Sequence, residues 1–275
     1  MGASTRLRPT IILMAIAMCA ALYAIGSYVT AYIPSPWGAG QFRPAVIIPA
    51  FFAVIFGPLP AGIGAALGTL IVDSVKHGYL YPGSYLAAVP GNFIGFYLFG
   101  YITKKKFTWG RFVLASNVTL TLANAIVAVL YVLVFKILYL GDAKYVNFSP
   151  DALVFFIIGL TIWWFVTMLP FVLLVTPFLI KAAVAAFPAI VPSDVRTISL
   201  REEMPKKPFS LAMLVPGVIM LLIGLMISYT ILGVRITGFF GETTMTLVQF
   251  MFYISGAVLT ILGLFTWRTP SKEKE

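Results

Sequence analysis

Asp73 and His77 stand four residues apart, so on a helix they fall on one face. A carboxylate and an imidazole at that spacing suit a pair of metal ligands or a proton relay. Two ligands do not close a metal site, and Lys76 stands between them; the plainer alternative is a solvated, capped helix end. Arg43 lies between a Pro/Gly-rich loop and an apolar segment. An arginine near lipid costs about 3 kcal/mol or more, so it needs an anionic or carbonyl partner or must snorkel. It therefore reads either as the group that captures a ligand carboxylate or phosphate, or as the ion-pair partner of Asp73. Asn92, Asn117, Thr121 and Asn124 are polar groups within apolar runs and must face protein. With Trp163 they would line a pocket, or else hydrogen-bond between helices. Tyr131 falls near the face that carries Asn117 and Asn124. There is no Walker A pattern, no HExxH, no nucleophile elbow, no cysteine cluster and a single histidine. No catalytic residue set, resident metal or cofactor is expected, and the chain is not read as an enzyme.

The elements that must position these residues are apolar helices. The chain has 275 residues, 60% hydrophobic and only 10% charged, well below the ~25% charged residues of a soluble domain. Long apolar runs, rather than alternating ten-residue segments, indicate an all-α polytopic membrane protein. The formal net charge of +10 is then a matter of loop topology, and nucleic acid is not an expected partner. A lone Cys19 excludes an intrachain disulfide. The first apolar run follows Arg8 and is too long for a signal peptide, so it reads as a retained helix.

In order, helices are expected at Pro9 to Ile33, Pro44 to Phe56, Ala61 to Val75, Leu86 to Thr103, Phe112 to Leu138 and Asp151 to Ile180, the last kinked at Pro170. The second covers only ~20 Å of an ~30 Å apolar core. It turns back at Gly57-Pro58-Leu59-Pro60, bringing Arg43 to the same side as Asp73, Lys76 and His77. Ala17 and Ala21, like Ala20 and Ala24, have the small-xxx-small spacing that admits a neighbouring helix. A polar connector spans 182–210, and 211–275 forms a terminal hairpin, Leu211 to Leu232 and Leu247 to Trp267, with a basic tail. With the N-terminus inside, 14 Lys and Arg fall on inner segments and five on outer ones, which sets both termini in the cytoplasm and the Arg43 rim outside.

The Ala-rich first helix MAIAMCAALYAIGSY, the Pro/Gly loop after it, FRP opening the second helix, the FGPLPAGIGAALGTLIVD turn and the PGN of the fourth helix form one pattern. Over roughly residues 10 to 181 it resembles the substrate-binding S component of energy-coupling factor (ECF) transporters, which import vitamins and related compounds. The resemblance implies a six-helix bundle over 1–181 that binds a small vitamin-like molecule from outside, in the cell membrane. It also implies partners, a transmembrane coupling protein and cytoplasmic ATPases. Ala17 and Ala21 match the alanine motif that docks the coupling protein. The loop after helix 1 and the outer parts of helices 4 to 6 would supply the substrate site. Here those regions hold Trp37, Gln41, Arg43, Asn92, Asn124 and Trp163, with Tyr79 and Tyr81 as further stacking groups. The N-terminus lacks the Met-His pattern of the nickel and cobalt branch, so a metal is not the expected cargo. The family pattern ends after six helices; the connector and terminal hairpin depart from it. The alternative is a self-sufficient ion-coupled carrier using Asp73 and His77.

Overall fold

A computed structural model describes residues 8–200 and 204–268. The topology residues Arg6, Arg201, Lys272 and Lys274 lie outside the described residues, as do Glu202 and Glu203 of the connector. Among the described residues there is no strand, and seven helical spans are long and apolar enough to cross a membrane. The chain is an all-α multi-pass membrane protein by these criteria of length and composition.

Helix α1 (Pro9–Val29) opens with Pro9 in its first turn, where the missing N–H is not needed. It ends four residues before the expected Ile33, because Pro34 disfavours helical geometry just ahead of it. A 3₁₀ turn (Pro44–Val46) leads into the short α2 (Ile47–Phe56). Gly57 reverses the chain at φ 88°, a conformation side chains resist, and α3 (Pro58–His77) begins at once. The sequence expectation placed that start at Ala61. Pro58 and Pro60 fit inside the first turn instead, since its N–H groups have no intrahelical acceptor. At its other end α3 runs through Lys76 and His77, which the sequence reading placed in a loop, and stops at Gly78 in the left-handed conformation.

A π-helical turn (Ser84–Ala88) opens α4 (Val89–Lys104). Helix α5 (Trp109–Val129) continues as a π-helical stretch over Leu130–Tyr139. After the one-turn α6 (Ala143–Val146) comes α7 (Pro150–Ala186), which stays helical through Pro170 and Pro177. The expected polar connector holds α8 (Ser193–Thr197) and is docked on the bundle. Val191, Val195 and Ile198 are buried, Asp194 accepts the Phe107 N–H at 2.7 Å, and the Trp109 indole donates to the Ser199 carbonyl at 3.1 Å. The terminal pair is α9 (Lys206–Tyr229) and α11 (Glu242–Arg268). Between them lies the helix α10 (Ile231–Phe240), where the expected hairpin, Leu211 to Leu232 and Leu247 to Trp267, left no separate helix.

Helices α1, α3, α4, α5 and α7 pack in that sequence around α2, which touches α1, α3, α4 and α7. Six of the ten α2 residues are buried, among them Phe52 and Ile55. Small residues set the spacing between α1 and α3. A side chain at Gly64 would meet Cys19, and one at Gly68 would meet the Ala20 carbonyl. The stripe Cys19, Ala20, Tyr23, Ala24 and Ser27 points inward, while Ala17 and Ala21 lie on the exposed face. At its far end α2 reaches Gly100, where an added Cβ would strike Pro58. With its 3₁₀ turn it spans 13 residues, roughly 20 Å, so its opening residue Arg43 sits below the ends of helices some 30 Å long. That shortfall creates a recess at one end of the bundle.

Candidate functional site

The recess is roofed by the loop between α1 and α2. Its base is pinned by the bridge between Pro34 and Gln41 and by the Phe42 N–H donating to the Ile33 carbonyl at 2.8 Å. Trp37 anchors the loop to α7: its indole fills the space over Gly159 and meets Phe155 and Phe156 edge-on. Gly40 lies directly on Trp164 with φ 75°; an ideal Cβ there would come within 2.4 Å of the indole. Glycine is required by the backbone conformation and by the contact alike.

Beneath the roof is a cavity of about 200 Å³. Arg43 and Asp73 form a buried ion pair in its wall, Nη2 to Oδ1 at 2.7 Å, with side chains 10% and 12% exposed. Breaking such a pair by removing one partner typically costs 3–5 kcal/mol, roughly, because the survivor is left charged and dry. Further polar side chains hold the pair. Ser84 donates to Asp73 Oδ2 at 2.9 Å, Gln41 donates to Oδ1 at 3.5 Å, and Arg43 Nη1 donates to Thr69 at 3.3 Å. Asn92 joins through its amide, donating to Thr69 at 3.0 Å and to the Ala88 carbonyl at 2.9 Å. The π-helical turn is what brings Ser84 to Asp73, the kind of local register change often found at functional sites.

Lys76 and His77 complete the rim. The Lys76 ammonium donates to Gln41 Oε1 at 3.1 Å and to the Ala31 carbonyl. His77 Nδ1 lies 2.7 Å from the backbone carbonyl of Asp73, and its ring stacks on Tyr81 with centroids 3.8 Å apart and planes 3° from parallel. Asp73 and His77 therefore share a helix face, yet the carboxylate turns toward Arg43 and the imidazole toward Tyr81. Burial lifts the Tyr81 hydroxyl above its ordinary pKa, so it is protonated at neutral pH. Among the described residues no group of three or more His, Cys, Asp or Glu side chains is arranged to hold a metal ion.

The deeper wall is amide and aromatic. Asn124 is buried, and its amide donates to the Met168 sulfur at 3.8 Å, a weak acceptor. Tyr23 is wholly buried, with its hydroxyl beside Arg43 and Thr69 but without a well-formed hydrogen bond to either. Tyr131 and Trp164 close the sides.

Of the residues singled out in the sequence, Gln41, Arg43, Asn92, Asn124 and Tyr81 line this cavity, as do Asp73 and His77. Five others do not. Trp37 is spent on anchoring the roof. Tyr79 is 58% exposed, edge-on to His77 and Tyr81 at the rim. Trp163 packs against the apolar core, and its neighbour Trp164 lines the cavity instead. Successive helix residues point ~100° apart, so one tryptophan of the pair had to miss. Thr121, expected to face protein, is exposed; it stands about 60° round the helix from Asn124, while Thr119 is buried and donates to the Gly95 carbonyl at 3.0 Å. Asn117 donates to the Val113 carbonyl within its own helix. Sequence reasoning missed Tyr23, Trp164 and Met168 as lining residues. The i, i+4 spacing of Trp164 and Met168 was the available signal for two of them.

Searches against protein-family models, curated proteins and solved structures find no match to this chain.

Proposed function

We propose that this chain is the substrate-capture subunit of an ATP-driven importer of the ECF type, taking a small vitamin-like molecule from the outer side of the cell membrane. The observation that carries the reading is a roofed, polar cavity at one end of an otherwise apolar bundle, on the side assigned outward by the Lys and Arg distribution. In this reading residues 1–181 form the six-helix capture bundle, the terminal hairpin is an addition to it, and both termini are cytoplasmic. Energy comes from separate ATPase subunits through a transmembrane coupling protein, because the chain has no nucleotide-binding motif of its own. Ala17 and Ala21 supply the docking face: they are exposed on α1, while Ala20 and Ala24 serve packing within the bundle.

The ion-coupled alternative asks Asp73 and His77 to exchange protons or bind an ion. Asp73 is already committed to Arg43 and Ser84, and His77 to Tyr81, so this reading has less to work with.

The test is affinity purification of the tagged chain from native membranes in mild detergent, with co-purifying proteins identified by mass spectrometry. An ATPase pair and a small helical membrane protein are the expected companions. A chain that repeatedly comes down alone overturns the reading. Ala17→Trp should abolish that co-purification and leave ligand binding unchanged; loss of ligand binding with assembly preserved would remove Ala17 and Ala21 from the docking face.

A further inference from the structure

We propose that Lys76, rather than Arg43, is the charge selector of the cavity, and that the captured molecule is a small monoanion, a single-ring carboxylate. The inference rests on the capture reading above and narrows its substrate class. It follows from the balance of charge around the cavity. Its lining contains three formally charged side chains: Arg43, Asp73 and Lys76. Arg43 and Asp73 cancel at 2.7 Å. An incoming carboxylate directed at the Arg43 guanidinium would meet the Asp73 carboxylate on the same group. Lys76 is left to set the net sign, which is positive.

Lys76 is also built to accept a ligand without losing what it has. Its ammonium carries three donors. Two go to neutral oxygens, the Ala31 carbonyl and Gln41 Oε1, and among the described residues no carboxylate oxygen lies within ion-pair distance of it. One donor therefore remains for a ligand oxygen. The Tyr32 ring, 5.6 Å from the ammonium, supports the charge from the rim.

Size and the opposite wall set the rest of the molecule. A cavity near 150 Å³ takes a benzene ring, so about 200 Å³ holds one ring with small substituents rather than a fused system. Asn124, whose amide has only a thioether to donate to, offers a stronger partnership to a polar substituent or ring nitrogen.

The experiment uses the full chain in lipid nanodiscs. Thermal unfolding is followed with benzoate and 4-aminobenzoate, each compared with its neutral amide, benzamide and 4-aminobenzamide. The carboxylates are expected to raise the transition temperature and the amides to leave it unchanged. Lys76→Gln should weaken carboxylate binding roughly 10- to 100-fold, and Lys76→Arg should restore most of it. Amides that bind as well as carboxylates, no carboxylate-dependent shift at all, or carboxylate binding unaffected by Lys76→Gln would each overturn the proposal. Should Lys76→Gln fail to fold, Lys76→Met, neutral and of similar length, takes its place, and carboxylate binding unaffected by it overturns the proposal. The two proposals fail separately. Companions without a carboxylate preference sink only the role of Lys76, and carboxylate binding by a chain that purifies alone sinks only the importer.

Discussion

The helix pairs α1–α3 and α9–α11 solve the same packing problem and end with opposite contents. Both bring backbones close through small residues: Gly64 and Gly68 against Cys19 and Ala20 in one, Gly217 against Thr260 and Gly263 against Leu214 in the other. The first pair carries a buried arginine–aspartate pair at its rim through its neighbour α2. In the second, among the described residues, no charged side chain is buried, and its cross-helix polar contacts are hydroxyl bonds, Tyr253 to Ser228 at 2.8 Å and Ser210 with Thr266 at 2.9 Å. Lipid gives no hydrophobic drive for helix association, so small-residue contacts are needed wherever helices meet and do not by themselves mark function. Buried charge is costly and is kept only where something uses it or balances it. The contrast is one of buried charge, which the bundle has and the terminal pair, among the described residues, does not. The terminal pair packs against α5 and α7, and Phe240 of the intervening α10 stacks on Phe156 with ring centroids 5.9 Å apart.

The comparison is broken most sharply at the ion pair. Asp73→Ala should destabilise the chain by roughly 3–5 kcal/mol, read as a lower unfolding transition in detergent, and Arg43→Gln in the same chain should recover much of it. No single polar substitution in α9 or α11 should approach that loss. Next comes the roof. Gly40→Val places a branched side chain at positive φ against Trp164 and should cost about 2–4 kcal/mol. Adding Trp164→Ala should relieve the clash and leave the backbone penalty, which separates the two causes.

A smaller effect belongs to the terminal pair. Gly217→Leu should cost about 1–3 kcal/mol by forcing α9 from α11 at Thr260, and it should leave ligand affinity at the cavity unchanged. A loss of affinity would show that the two regions are coupled. The smallest effect is at Thr121. Exposed on α5, Thr121→Val should shift stability by no more than ~0.5 kcal/mol, whereas Thr119→Val, which removes the hydroxyl donating to Gly95, should cost about 1 kcal/mol.

Much of this architecture was legible from residue order. The short second limb, its reversal at Gly57 and the return of Asp73 to Arg43 follow from helix rise and the Gly-Pro turn, and the structure has all three. What did not show was set by contacts distant in sequence. Whether Trp163 or Trp164 faced inward depended on the rotation of α7, and Trp37 looked like a stacking residue because nothing local reveals that Gly159 lies opposite it. The connector read simply as polar because its charged residues and prolines stand out against the apolar runs on either side. Three apolar residues, Val191, Val195 and Ile198, were enough to seat it. Lys76 stood in plain view between Asp73 and His77, but its significance required knowing that Arg43 was already neutralised.

The single thiol, Cys19, is wedged where α1 crosses Gly64 and has no exposed surface. For chemical labelling the natural sequence thus behaves nearly as a cysteine-free background. A cysteine introduced at Lys105 or at Lys144 would be the one site open to a membrane-impermeant maleimide, and which of the two reacts from outside intact cells would fix the orientation of the whole chain without removing any native residue that lines the cavity.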